Sequence, residues 1–358
     1  MGTIILFVVV LSLLVFVHEL GHFLMAKKMG MKVEEFGFGF PPRLFGIKKK
    51  GTIYSINWIP LGGFVRIKGE SGEERNESDS FAHKKIWQRF VVLVAGVVMN
   101  LLLAVVLLSI GFMIGMPTNL DSTLPKGARV TDEQISLVEV AEPSPAFASG
   151  LVPGDALVSI DGQSFTTQEE ARAYLLEQGK EGVEMTVRQK DDSIKTVTVK
   201  AEELTELGLT AIGVAFAKTG IVSFSPPQAI IQGTAATATF TVEIVKAFGG
   251  IIQNIVGGKG PGVDLSGPVG IAVLTGKVAA MGVIYLVHFA ALLSINLAVI
   301  NILPFPALDG GRILFLIIEK MRGGKPVSAK FEAVMHNAGF ALLMLLVVIV
   351  TYRDIVNL

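Results

Sequence analysis

Hydrophobic positions gather into four long stretches, with two polar regions of different character between them. Residues 2–26 (GTIILFVVVLSLLVFVHELGHFLMA) are apolar except for a polar cluster near their end. As a helix rising about 1.5 Å per residue they cover roughly 37 Å, more than the hydrocarbon core of a bilayer. Residues 90–115 carry no charge, residues 281–303 form a third span and 333–352 a fourth. The first stretch lacks the basic start and small-residue cleavage site of a secretory signal, so it is expected to be retained as a span.

The polar region 116–280 alternates apolar and polar side chains at Leu137–Val140, Ala156–Ile160, Glu184–Gln189 and Lys195–Lys200, the period of half-buried strands. Thr166 and Glu169 have capping-box spacing ahead of Ala171, Tyr174 and Leu175, which predicts one helix. Turns are expected at Gly150, Pro153-Gly154-Asp155 and Asp161-Gly162. Through these turns and Gly150–Asp155, residues 120–218 resemble a bacterial PDZ domain, and that resemblance implies a groove taking an extended chain as an added strand. Residues 226–262 are apolar around Glu243 and Lys246 but broken by Gly233 and Gly249-Gly250, and are expected to form an amphipathic interfacial helix or pair.

Charge orients the spans. Nine Lys and four Arg lie between residues 26 and 89, and Arg312, Lys320, Arg322, Lys325 and Lys330 follow the third span. Under the positive-inside rule both loops are cytoplasmic, so both termini and the inserted domain lie outside. The balance of 31 basic and 31 acidic residues excludes the basic excess of a nucleic-acid binder, and the absence of Cys excludes disulfides, thiolate metal sites and a cysteine nucleophile. The fold class that follows is an α-helical polytopic membrane protein with four transmembrane helices. Its parts are an N-terminal core 1–116 with a loop 27–89 between its spans, the β-rich domain 120–218, the interfacial segment 226–262, and a C-terminal core 266–358.

His18-Glu19-Leu20-Gly21-His22 fits H-E-x-x-H. Imidazoles four residues apart share a helix face and can reach one Zn²⁺, with Glu19 beside it to take a proton from water. Such groups at the end of an apolar span are costly unless paired or coordinated. A catalytic site needs a third protein ligand. His83 and His336 read as surface or interface residues, and His288 lies at the opposite end of its span. Asp309 is at the matching depth, in Asn301-Ile302-Leu303-Pro304-Phe305-Pro306-Ala307-Leu308-Asp309-Gly310-Gly311. The prolines and glycines break the helix there, and broken backbone is tolerated only against protein or water; on residues alone Asp309 could equally be a helix cap. Gly96 and Asn100 read as a packing motif of the second span, and Ser266-Gly267-Pro268-Val269-Gly270 has no evident physical role.

HELGH in the first span, the NxxPxPxLDGG run after the third and a PDZ-like insert together resemble the site-2 protease family of intramembrane zinc metalloproteases. The similarity is greatest to its bacterial regulator-of-sigma-E protease branch and covers essentially the whole chain. It implies His18, His22 and Asp309 as Zn²⁺ ligands and Glu19 as general base. It further implies a membrane-associated β-loop within 27–89, here Glu35–Pro42 with Gly37, Phe38 and Gly39, that pairs with an unwound substrate, and substrate contacts from Asn296 and Asn301. An amide in a span otherwise bonds between helices. The function expected is cleavage of single-span membrane proteins after a first extracytoplasmic cut, anti-sigma factors or remnant signal peptides among them, by a monomer in contact with lipid in the bacterial inner membrane. A catalytically silent PDZ scaffold is the alternative; a metal transporter would want richer His content and more polar spans.

Overall fold

The computed structural model of the protein describes residues 2–72, 74–120, 124–189, 191–204, 209–259 and 266–356. Residues 121–123, 190 and 205–208 of the expected PDZ region and 260–262 of the interfacial segment therefore lie outside the described residues. Two compact units are present: Met1–Ile110 with Ile230–Leu358, and Gly111–Ala229.

The first unit opens with α1 (Gly2–Lys28), β1 (Val33–Lys49), β2 (Thr52–Ile67) and α2 (Ile86–Ile114). β1 and β2 are long enough to fold back on themselves. Val33–Phe38 pairs with Gly63–Ile67 on one side and meets Ile53–Ile56 on the other, and Ile53–Asn57 in turn pairs with Arg43–Lys48. The outer part of this hairpin exposes Phe45, Ile47, Ile56 and Trp58, apolar side chains that a strand in water would keep covered. Its inner part lies on α1: the Ser12 hydroxyl donates to the Pro60 carbonyl at 2.8 Å and accepts the Gly62 N–H at 3.2 Å.

The second unit contains β3 (Met116–Asn119), β4 (Arg129–Val140), α3 (Pro145–Ala148), β5 (Ala156–Ile160), α4 (Gln168–Gln178), β6 (Val183–Arg188), β7 (Ile194–Val199), β8 (Glu202–Leu204), β9 (Leu209–Ala211) and β10 (Val214–Ser223). Six of its strands form one sheet in the order β3-β10-β4-β5-β6-β7, antiparallel throughout. Leu137, Ile160, Met185, Val187 and Val199 from the sheet bury against Ala171 and Leu175 of α4, as strand alternation requires. Asp161 (φ 49°) and Gly162 (φ 74°) make the expected turn after β5, and the Asp161 carboxylate accepts the Glu184 N–H at 2.7 Å. The capping box falls one residue later than the sequence spacing suggested. Thr167 is the N-cap and Glu170 its partner, because Glu170 reaches back to the N–H groups of both Thr166 and Thr167. Those donors, with the Thr166 hydroxyl, hold the Glu170 carboxyl below the usual carboxylate range.

The first unit resumes with α5 (Pro226–Val256), α6 (Pro268–Met281), α7 (Val283–Ile302), α8 (Asp309–Met321) and α9 (Ala329–Val356). Among the described residues five helices, α1, α2, α5, α7 and α9, are long and apolar enough to cross a membrane, where the sequence predicted four. The difference is α5, which runs unbroken through Gly233 and Gly249-Gly250, the single helix of the two forms expected, and reaches membrane length. A glycine costs a helix only about 1 kcal/mol, and the hydroxyls of Thr234, Thr237 and Thr241 return to the carbonyls of Ile230, Gly233 and Thr237, which keeps their polarity off the apolar face. Residues assigned from sequence to an N-terminal core, an interfacial segment and a C-terminal core thus pack largely as one discontinuous unit. The Ser266–Gly270 segment also gains a role. Asp354 of α9 accepts the Gly267 N–H at 3.1 Å and the Gly270 N–H at 2.7 Å, so it caps α6 from another helix.

Candidate metal and peptidase site

His18 and His22 lie one turn apart near the end of α1, both buried. Their rings meet edge to face with centroids 4.8 Å apart, and the two Nε2 atoms are 3.1 Å apart. Asp309 begins α8, immediately after the break over residues 303–308, and its Oδ2 stands 3.0 Å from His18 Nε2 and 3.3 Å from His22 Nε2. Two lone-pair nitrogens and a carboxylate oxygen converge on one point, an arrangement that repels itself unless a cation or protons lie between. Bonds of about 2.0–2.1 Å at tetrahedral angles put neighbouring ligand atoms roughly 3.3 Å apart, so the three atoms fit one Zn²⁺ closely. Among the described residues they are the single group of His, Cys, Asp or Glu side chains able to hold a metal together.

The surroundings prepare these ligands. A carbonyl can only accept, so the 2.8 Å contact between His22 Nδ1 and the Val92 carbonyl fixes the proton on Nδ1 and leaves Nε2 free. The Asn100 amide lies 3.3 Å from His18 Nδ1, and its Oδ1 has no partner in the orientation drawn. Turned over, the same amide accepts the Nδ1–H of His18 and frees that Nε2 likewise. The Asn100 carbonyl accepts the Ser294 hydroxyl at 2.8 Å, which ties α7 to α2. Asn100 therefore does more than pack. The signal was present in the sequence, an amide within a span, but only the fold shows which imidazole it faces. Gly96, one turn earlier, is the floor beneath the ligands. A Cβ there would stand 2.5 Å from His22 Nε2 and 2.6 Å from His18 Cε1.

Glu19 lies between the two imidazoles in sequence, and its Oε2 accepts the Val65 N–H from β2 at 3.1 Å. That bond aims the Val65 N–H, and with it one edge of the Gly63–Ile67 segment, at α1. Phe38 packs edge to face on Phe16 at 6.1 Å, which brings the Gly37–Gly39 run onto the same helix. Gly37 is tight against Ser55 and Phe64, and Gly39 turns the chain with φ 77° while its carbonyl accepts the Asn57 amide at 2.9 Å. Both glycines thus serve the sheet itself. Asn296 of α7 is half-buried with an unpartnered Oδ1, and Asn301 stands in the last turn of α7, eight residues before Asp309.

The three remaining histidines are elsewhere. His83 is exposed beside the Arg75 carbonyl, and His288 meets Phe240 edge to face. His336 does not stand idle at a surface: its Nδ1 accepts the Ala307 N–H of the broken loop at 2.9 Å. One turn beyond Asp309, Arg312 pairs with Glu70, and the buried Arg89 and Glu319 join α2 to α8 through bonds of 2.9 and 2.5 Å. Lys68, at the exit of β2, binds Glu77 and Asp79, which hold its ammonium above the usual lysine range.

The family model for peptidase family M50 matches residues 6–346. The zinc metalloprotease RasP of Geobacillus kaustophilus is 33% identical over 99% of this chain and 97% of its own length. A putative zinc metalloprotease of Clostridium acetobutylicum is 34% identical over 99% of this chain and 97% of its own. The regulator of sigma-W protease RasP of Bacillus subtilis is 30% identical over 100% and 99%. Among solved structures, the PDZ domain of an SdrC-like protein from Listeria innocua aligns with 23% of this chain and 92% of its own at 26% identity, with a TM-score of 0.21.

Proposed function

The chain belongs to peptidase family M50, the site-2 family of intramembrane zinc metalloproteases, and from that premise we propose that it cuts the transmembrane segments of single-span membrane proteins. The observation that carries this reading is the convergence of His18, His22 and Asp309 at 3.0–3.3 Å, from helices far apart in the chain. Those three hold Zn²⁺, the cofactor named for the relatives. When bound, the ion supplies a Lewis acid for the scissile carbonyl and an acidified water. Glu19 takes the proton of the attacking water and returns it to the departing amine. Val92 and Asn100 hold the imidazoles in the tautomer that keeps Nε2 available.

A peptide within a helix hides its carbonyl, so the substrate unwinds, and backbone unwound in lipid needs new partners. The edge of Gly63–Ile67 that faces Glu19 supplies them, backed by the Gly37–Gly39 run paired behind it, and the unpartnered Asn296 Oδ1, with Asn301, accepts substrate N–H groups. Residues 120–218 act as an extracytoplasmic PDZ domain that excludes substrates still carrying a bulky outer part, so this enzyme makes a second cut. A relative named for regulation of sigma-W supports membrane-held transcription regulators as one substrate class. The loops rich in Lys and Arg face the cytoplasm. α5, the least apolar of the five long helices and charged at Glu243 and Lys246, lies along the membrane surface, which leaves four crossings with both termini outside.

Glu19→Gln is expected to retain one zinc per chain and to lose cleavage of a co-expressed single-span protein already shortened on its outer side. Continued cleavage would remove Glu19 from the mechanism.

A further inference from the structure

A cleft of about 820 Å³ opens where α2 begins and α8 ends. Its wall carries Arg75, Lys84, Lys85 and Lys320 above the apolar faces of Trp87 and Phe90. Among the described residues one carboxylate lines it, Glu319, and Arg89 already takes that group through two hydrogen bonds. That leaves no carboxylate among the described lining residues for Lys84, Lys85 and Lys320, while Arg75 lies in the field of Glu332. Directly beyond this basic band, Trp87 is 55% exposed and Phe90 43% exposed, three residues apart on one face of α2. The cleft thus pairs three lysines that lack counter-charge in its wall with an open aromatic floor at the end of a membrane-length helix.

We propose that this cleft binds an anionic phospholipid, its phosphate headgroup held by Lys84, Lys85, Lys320 and Arg75 and its acyl chains laid along Trp87 and Phe90. A soluble anion would leave the aromatic floor uncovered, and a zwitterionic lipid brings its own cation to three lysines that already lack a partner in the cleft wall. Basic clefts between helices at the cytoplasmic boundary suit such headgroups, each lysine contributing about fivefold in affinity. The bound lipid would brace α2, which carries Gly96 and Asn100, against α8, which carries Asp309. The inference rests on the reading that the start of α2 and the end of α8 lie at the cytoplasmic lipid–water boundary.

The chain contains two tryptophans, Trp58 and Trp87, so Trp58→Phe leaves Trp87 as a reporter inside the cleft. The full chain carrying that change is reconstituted in phosphatidylcholine vesicles with dibrominated phosphatidylglycerol or dibrominated phosphatidylcholine at equal mole fraction, and bromine quenching of Trp87 is measured. Phosphatidylglycerol is expected to quench with at least fivefold greater relative affinity. Adding Lys84→Gln, Lys85→Gln and Lys320→Gln should abolish the preference, whereas Lys27→Gln with Lys28→Gln, and millimolar inorganic phosphate, should leave it intact. Equal quenching by both lipids overturns the site, as does a preference that survives the first three changes, disappears with the last two, or is competed away by phosphate. Quenching by neither lipid instead overturns the membrane placement of α2, while zinc content and cleavage, measured on the same protein, report separately on the peptidase.

Discussion

His336 Nδ1 accepts the Ala307 N–H at 2.9 Å, and Ala307 is held at φ 81°, a backbone conformation that L-residues other than Asn and Asp rarely adopt. Ala307 sits two residues before Asp309, so α9 fixes the loop that delivers the third proposed metal ligand. His336→Ala is expected to weaken zinc affinity by about 10–100-fold, the usual effect of losing an outer partner of a metal site. His336→Asn, whose Oδ1 can accept the same N–H, should recover most of it. Zinc dissociation into a chelator provides the readout, with thermal unfolding of the metal-stripped protein as control. Unaltered zinc release in His336→Ala would make the contact merely structural.

Arg89 and Glu319 are both 8% exposed and bonded twice, at 2.9 and 2.5 Å. A buried pair of this kind gains little over an apolar pair of like size, yet removing one partner strands the other without water or counter-charge. Glu319→Ala should therefore cost about 3–5 kcal/mol. Replacing both, Arg89→Met with Glu319→Leu, should cost far less than the single change. Thermal unfolding in detergent checks the order, and equal losses in the two variants would show that the pair is solvated after all.

Much of this architecture is legible in the sequence because its signals are local. HELGH puts two imidazoles on one helix face, the prolines of residues 301–311 break a helix, and alternation marks the strands of the second unit. What escapes is whatever depends on which surfaces meet. The tautomer partner of His18 is on another helix at Asn100, the cap of α6 comes from Asp354 more than eighty residues away, and the hold on Ala307 comes from α9. The capping box slipped from Thr166 to Thr167 because three consecutive polar residues, Thr166, Thr167 and Gln168, leave the N-cap open on spacing alone. α5 reads as broken only while glycine is weighed by propensity, which tertiary and lipid surroundings override.

Gly96 offers the sharpest test of how α1 and α2 share the site. A methyl group at this position would stand 2.5–2.7 Å from His18 and His22, closer than any real Cβ contact. The colliding atoms include the Nε2 atoms proposed to hold the metal, on two buried rings, so relief requires the rings to turn or the helices to part. Ala favours a helix over Gly by about 1 kcal/mol, which offsets part of the strain in overall stability. Gly96→Ala is therefore expected to fold, to unfold within a few degrees of the parent when metal-free, and to lose at least tenfold in zinc affinity together with cleavage. Isothermal titration of zinc into the stripped protein separates the two effects. Parent-like affinity would mean that the imidazoles have room to spare, and that the closeness of α2 to His18 and His22 has no bearing on catalysis.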